Sequence, residues 1–268
     1  VIAADVPQPG SILHQIEASQ ARSRVVFRLK SAATWVTVIG LLLVGLWATD
    51  NIDTAFIGEW GPFIIGGAGL TVLVSVVSIV FATAIALVGA IGRLSSNAFV
   101  NGVTSLYVSL VRGTPLIVQI YFIYLALPQV GIVLPAIPSG IIALSFNYGA
   151  YLTEIFRAGI QAVPRGQREA AQSLGLTERL VMWRIVLPQA FRIVIPAIGN
   201  DFVAMLKDSS LVSILAVEEL LFRSQLVGRQ NFRSLEALII AAAVYWILTM
   251  VFSYFQQRLE QRMARGDR

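Results

Sequence analysis

Apolar residues in this chain are gathered into long uncharged runs rather than spread one turn or one strand residue at a time. Residues 32–48 (AATWVTVIGLLLVGLWA) lie uncharged between Lys30 and Asp50. No residue from Trp60 to Gly92 is charged, and the part beginning near Gly66 is dense in Val, Ile, Ala and Ser until Arg93 ends it. Between Arg112 and Glu154 the chain is again uncharged, too long for one helix, and Pro128, Pro135 and Pro138 interrupt it. It reads as two spans, about 104–128 and 137–158, joined by a short hairpin loop. Residues 193–217 are uncharged except for Asp201, Lys207 and Asp208, and Ala237–Gln257 form a clean final run. A helical crossing takes roughly 20 apolar residues, and runs of this kind satisfy their own backbone only as helices. The alternation of a barrel strand is missing. The expectation is an all-α polytopic membrane protein of about six transmembrane helices.

Composition supports this. Hydrophobic residues make up 56% of the 268 and charged residues 13%, about half the charged share of a soluble domain at roughly 25%. The mean hydropathy is +0.75. The net charge of +5 and pI near 9.9 do not point to a nucleic-acid partner, because the basic residues sit in clusters beside apolar runs. One cluster is Arg22, Arg24, Arg28 and Lys30, a second is Arg165, Arg168, Arg179, Arg184 and Arg192, and a third is Arg258, Arg262, Arg265 and Arg268. In a six-span chain all three fall on one side, which the positive-inside rule makes the cytoplasm, with both termini there. Asp50, Asp53 and Glu59 fall on the other side. Arg223, Arg229 and Arg233 also fall there, against the rule, partly offset by Glu218 and Glu219.

The chain has no cysteine and a single histidine, His14, outside every apolar run. That excludes thiol chemistry, argues against a histidine-based metal site and leaves an intramembrane enzyme without a reactive set. Residues 1–31 are polar and mixed, without the apolar core of a secretory signal, and read as a cytoplasmic lead-in. The expected organisation is 1–31 cytoplasmic, 32–65 a first span with its outer loop, 66–257 the main membrane domain, and 258–268 a basic tail.

The cytoplasmic connection 161–192 has the composition of folded structure. Pro164 starts it, GQREAAQSLGL (Gly166–Leu176) can make two to three helical turns, and Gly175 can supply a left-handed stop. Thr177 is the N-cap candidate for a second helix, TERLVMWRIVL, expected to end at Pro188. Ala170, Ala171 and Leu174 form a low-relief face flanked by Arg168 and Glu169. This elbow suits either docking of another protein or an amphipathic connector on the headgroups.

Span five carries charge at a cost of roughly 2.5–3.5 kcal/mol per residue at a helix centre. Asp201 and Asp208 share a face, as do Asn200 and Lys207, and none of the three charges has an opposite charge at i+3 or i+4 on that helix. Glu154 and Arg157 are three apart at the end of span four. Arg112 with Thr114–Pro115 marks a kink, and Gln119 is a further polar residue that can face a pathway.

Glu169, Ala170 and Ala171, then Gly175, then Ile185, Leu187 and Pro188, resemble the EAA loop of permease subunits of binding-protein-dependent ABC importers. RGTPLIVQ (Arg112–Gln119), AYLTEIFRAGI (Ala150–Ile160), LPQAFRIVIPAIGND (Leu187–Asp201) and LKDSSLVSIL (Leu206–Leu215) narrow the resemblance to polar amino-acid permeases. The resemblance covers about 66–257. It implies the five-helix type I importer core in a bacterial inner membrane, to which residues 1–65 add one N-terminal span that the resemblance does not explain. Glu169, Ala170, Ala171, Ser173, Leu174 and Gly175 become the ATPase-coupling residues. Implied partners are two cytoplasmic ATP-binding subunits, a second permease subunit, identical or homologous, a periplasmic amino-acid binding protein, the bilayer and the amino acid itself. ATP and Mg belong to the partner ATPase, with no cofactor in this chain, which is non-catalytic. Asp201, Asn200, Lys207, Asp208, Gln119 and Glu154 are the candidate substrate residues, with Asp201 taking an ammonium and Lys207, or backbone N–H groups near Pro196 and Gly199, a carboxylate. The alternative for Lys207 and Asp208 is a structural network with Glu154 or Arg157. A permease for another small zwitterion or an opine-like organic cation remains open, and less so a secondary transporter or channel.

Overall fold

The computed structural model describes residues 9–48 and 52–264, and every regular element among them is helical. The chain divides into two compact units, Val1–Thr54 and Ala55–Arg268. In the first, α1 is one helix, Pro9–Ala48. The sequence reading separates a polar lead-in from a first span here, but no glycine or proline lies between Gly10 and Gly40 to break the helix. Asp50, Arg265 and Arg268 lie outside the described residues, as does the side chain of His14.

The second unit begins with α2 (Thr54–Ile65), α3 (Ala68–Arg93), α4 (Ala98–Arg112) and α5 (Leu116–Tyr121), the last continued by a π turn and a 3-10 turn to Val130. There follow α6 (Ala136–Ala162), α7 (Arg165–Ser173), α8 (Glu178–Val181), a π turn, α9 (Leu187–Asp208), a 3-10 turn, α10 (Leu220–Gln230) and α11 (Ser234–Ala264). Residues 55–65, read from the sequence as the outer loop after the first span, pack within this unit: Phe56 and Ile64 are buried with Leu220, Val227, Ala237 and Ala241.

Among the described residues, three helical stretches are long and apolar enough to cross a membrane, Thr54–Arg93, Glu178–Leu215 and Ser234–Met263. The α4–α5 pair makes a fourth only as a broken span, bent by 106°. The span expected over 104–128, with its kink at Arg112 and Thr114–Pro115, is two helices at an angle. Pro115 has no N–H to continue α4, and the residue before a proline avoids helical backbone. The expected count of six is not reached on length and apolarity. One reason is α6, whose apolar run is diluted by Ser139, Ser145, Asn147 and Tyr148, all buried.

The core lies between α3 and α6. Small side chains on α3, Ala82, Ala86 and Ala90, let the helices approach, and Leu144, Tyr148, Leu152 and Phe156 of α6 fill the contact with Val194 and Met205 of α9. Large apolar residues such as Val80, Val88, Ile91 and Leu106 point outward, where lipid solvates them.

Pro188 does not end a helix. Before it, Leu187 N–H bonds to the Met182 carbonyl in a π turn, and α9 continues through the proline. The widened turn takes up the position where an ordinary helix loses a bond. The rod from Glu178 consequently runs unbroken into the segment that holds Asp201 and Asp208.

At the other end of α3, the fully buried Glu219 caps α10 by accepting from Phe222 N–H at 2.7 Å, and it also accepts from Tyr245 of α11 at 2.5 Å and Thr71 of α3 at 3.3 Å. Thr71 in turn accepts from Leu220 N–H at 3.2 Å. This junction requires backbone contact at Gly67, where a Cβ would stand 2.7 Å from Leu220 N and 2.8 Å from Glu219 C. Backbone cannot move aside as a side chain does. Gly67→Ala should therefore lower stability by about 1–3 kcal/mol, seen as a lower thermal unfolding midpoint in detergent; an unchanged midpoint would contradict the close approach.

Candidate functional site

A cavity of about 520 Å³ opens between the α4–α5 break, α6 and α9. Arg112, Gly113, Thr114, Pro115 and Leu116 line it from the break, Asn147, Tyr148 and Tyr151 from α6, and Asp201, Ala204 and Asp208 from α9. The spacing of these residues follows from helix geometry: 147, 148 and 151, like 201, 204 and 208, fall on one face of their helix.

The break is built locally. Gln119 folds its amide back and donates from Nε2 to the Val111 carbonyl at 2.8 Å, Thr114 Oγ1 at 2.9 Å and the Thr114 carbonyl at 3.2 Å. Two carbonyls freed by the bend thus gain a donor. The oxygen of the same amide accepts from Asn147 Nδ2 at 3.2 Å. The Arg112 guanidinium lies 5.1 Å from the centre of the Tyr151 ring, a cation–π contact that holds it at the cavity.

The two aspartates differ. Tyr148 donates its hydroxyl to Asp208 Oδ2 at 2.7 Å. Asp201 Oδ2 is sealed from solvent and has no hydrogen-bond partner among the described residues. A carboxylate oxygen in that state is expensive and marks where a donor is wanted. The cavity thus holds one cation, Arg112, and two carboxylates.

The other sequence candidates lie elsewhere. Asn200 accepts from Gln256 of α11 at 2.6 Å and is outside the lining. Lys207 is exposed and also outside it. Gln119 faces the bend. Glu154 is saturated, accepting from Arg93 at 2.9 Å on one oxygen and from Arg157 at 2.7 Å on the other. Arg93 also donates to Ser105, and its carbonyl accepts from Asn101 at 2.8 Å, so the ends of α3, α4 and α6 are tied together. The alternative, a network of Lys207 and Asp208 with Glu154 or Arg157, is not seen among the described residues: Asp208 pairs with Tyr148.

The elbow after α6 has the expected shape. α7 ends at Gly175, whose φ of +80° is left-handed, and Leu176 N–H returns to the Ala171 carbonyl at 3.2 Å. Arg168 donates to the Ile160 carbonyl at 2.7 Å, anchoring α7 to the end of α6. The low-relief face differs from the expectation at Ala171, which turns inward against Val163, Val181 and Val186. Glu169, Ala170, Ser173 and Leu174 are exposed, Leu174 to 83%.

Sequence reasoning misses Asn147, Tyr148 and Tyr151. The one available signal is their polarity inside an uncharged run, and nothing in the run tells which helix face the cavity occupies.

Residues 82–265 match the family model described as binding-protein-dependent transport system inner membrane component. The chain is 40% identical over 205 residues to the L-cystine transport system permease protein TcyB of Bacillus subtilis, covering 76% of this chain and 88% of that one. It is 33% identical over 218 residues to the arginine transport system permease protein ArtQ of Bacillus subtilis, covering 81% of this chain and all of that one. A solved structure described as an amino acid ABC transporter with histidines superposes with a TM-score of 0.76 at 37% identity, covering 79% of this chain and 99% of that chain. With the family model matching most of the bundle and these relatives covered nearly end to end, the chain belongs to the binding-protein-dependent transport system inner membrane components, the membrane-spanning permease subunits of ABC transporters.

Proposed function

We propose that this permease carries amino acids through the cavity between the α4–α5 break, α6 and α9, as part of an ATP-driven importer in a bacterial inner membrane. The observation that carries the reading is the placement of opposite charges around one cavity, Arg112 on one side and Asp201 on another, with an Asp201 oxygen left without a protein donor. A zwitterion brings a carboxylate for the guanidinium and an ammonium for the aspartate. Arg112 replaces Lys207 as the carboxylate partner, because Lys207 is not at the cavity. The relatives named for cystine and arginine, and the structure named for an amino-acid transporter, support the substrate class.

The partners in this reading are two cytoplasmic ATP-binding subunits that hold ATP and Mg, a second permease, identical or homologous, and a periplasmic amino-acid binding protein. The basic clusters support a topology with both termini in the cytoplasm. The elbow of α7 is the docking element for the ATPase: Leu174 and Ala170 protrude, Arg168 fixes the helix to α6, and the continuous rod from Glu178 links it to α9. Movement of α7 is thereby delivered to the helix that holds both aspartates.

Two outcomes test this. Asp201→Asn keeps size and removes charge, so a well-inserted mutant should lose about ten- to a hundredfold in apparent affinity of the membrane site; unchanged uptake would reduce Asp201 to a structural residue. Glu169→Lys and Gly175→Asp, the second at a backbone where a side chain costs about 1 kcal/mol or more, should uncouple ATP hydrolysis from uptake without blocking insertion. Normal uptake with normally stimulated hydrolysis in both would remove α7 from the coupling role.

A further inference from the structure

Gln119 does not line the cavity, yet both ends of its amide are committed. Val111 and Thr114 present carbonyl oxygens, which can only accept, so the Gln119 nitrogen must face them and its oxygen is left toward α6. Only the NH₂ of Asn147 can meet that oxygen. The direction of the Asn147 amide is thus dictated two hydrogen bonds away, by carbonyls that the helix break released. Asn147 is 7% exposed and lines the cavity. Its Oδ1 accepts no hydrogen bond from the described chain and, unlike Asp201 Oδ2, is not sealed, which leaves it at the cavity face.

The wall made by α6 and α9 therefore offers acceptors. Asn147 supplies Oδ1, and Asp201 and Asp208 their carboxylates, the second already accepting a hydrogen bond from the Tyr148 hydroxyl. Arg112 is the only cation in the lining. A group that satisfies such a wall brings several N–H bonds and positive charge. A carboxylate or amide oxygen placed there would face oxygen on each side.

We propose that Gln119 is a positioning residue that fixes Asn147 with its oxygen toward the cavity, so that the wall recognises a cationic, N–H-rich group of the transported amino acid, an ammonium or guanidinium. This rests on the cavity being the transport site. The second copy of such a group on a basic amino acid is what the wall favours over a neutral side chain.

The chain has no cysteine, so Ala204→Cys places a single thiol in the lining. In the complete complex, reconstituted with its ATPase and binding protein, labelling of that thiol by a small maleimide is followed against L-arginine and L-glutamine. Protection by neither overturns the transport-site reading, and the Gln119 assignment with it. Where protection is seen, L-arginine should protect at lower concentration than L-glutamine. Gln119→Leu should raise the half-protecting L-arginine concentration by about tenfold, the worth of one hydrogen bond to a charged group, and move L-glutamine less. Adding Asn147→Asp should restore L-arginine, because a carboxylate presents oxygen whichever way it turns; a purely structural loss at the bend would not be rescued. If Gln119→Leu does not assemble, Asn147→Leu removes the acceptor directly and must weaken L-arginine by a similar factor. Unchanged L-arginine protection in either single variant, or failure of the double variant to recover it, overturns the assignment while leaving the cavity reading intact.

Discussion

Backbone carbonyls and N–H groups without partners cannot be left in an apolar surrounding, and the α4–α5 break is where this constraint shapes the molecule. A bend of 106° in mid-span strips helical bonds from the chain. It persists because Pro115 has no N–H to orphan and because Gln119 donates to Val111 and Thr114. Without the break there would be no recess beside α6 and α9, since straight helices packed through small residues leave no room. The cavity, the placement of Arg112 at its edge and the direction of the Asn147 amide all follow from how one interruption is repaired.

Charge is sorted by the same rule. Each carboxylate inside the bundle must find donors or remain costly. Glu154 takes two arginines and becomes a tie among helix ends, and Glu219 takes a tyrosine, a threonine and a backbone N–H and becomes a cap. Asp208 takes Tyr148, while Asp201 keeps an oxygen with none. Glu154 and Glu219, which are satisfied, hold the fold, while Asp201 and Asp208 line the cavity. The helical stretch from α8 through α9 then runs from the end of the exposed elbow of α7 to those aspartates.

Much of this was legible in the sequence. Helical class follows from uncharged runs, and the elbow from Pro164, Gly175 and the residues between them. That Asp201 and Asp208 share a face follows from their spacing of seven. What the sequence could not supply was relative rotation between helices. Gln119 is polar and well placed in the chain, but only the bend decides that it faces Val111 and not the cavity. Lys207 lies beside Asp208 yet points away, and Tyr148, which pairs with that aspartate, comes from a helix sixty positions earlier. Pro188 reads as a stop because local rules treat it so, and a π turn three-dimensionally absorbs it. Residues 55–65 read as an outer loop because their packing against α10 and α11 is long-range.

Contact of the crossing amino acid with Arg112 and Asp201 is tested most directly by a structure of the assembled transporter with a transported amino acid, L-arginine or L-glutamine, trapped in the membrane subunits. The account predicts density in the cavity between the break, α6 and α9, with an N–H-bearing group at roughly hydrogen-bond distance, about 3 Å, from the Asp201 carboxylate and the carboxylate turned toward Arg112. Density for the amino acid in another part of the bundle, with Asp201 still unpartnered, would contradict it.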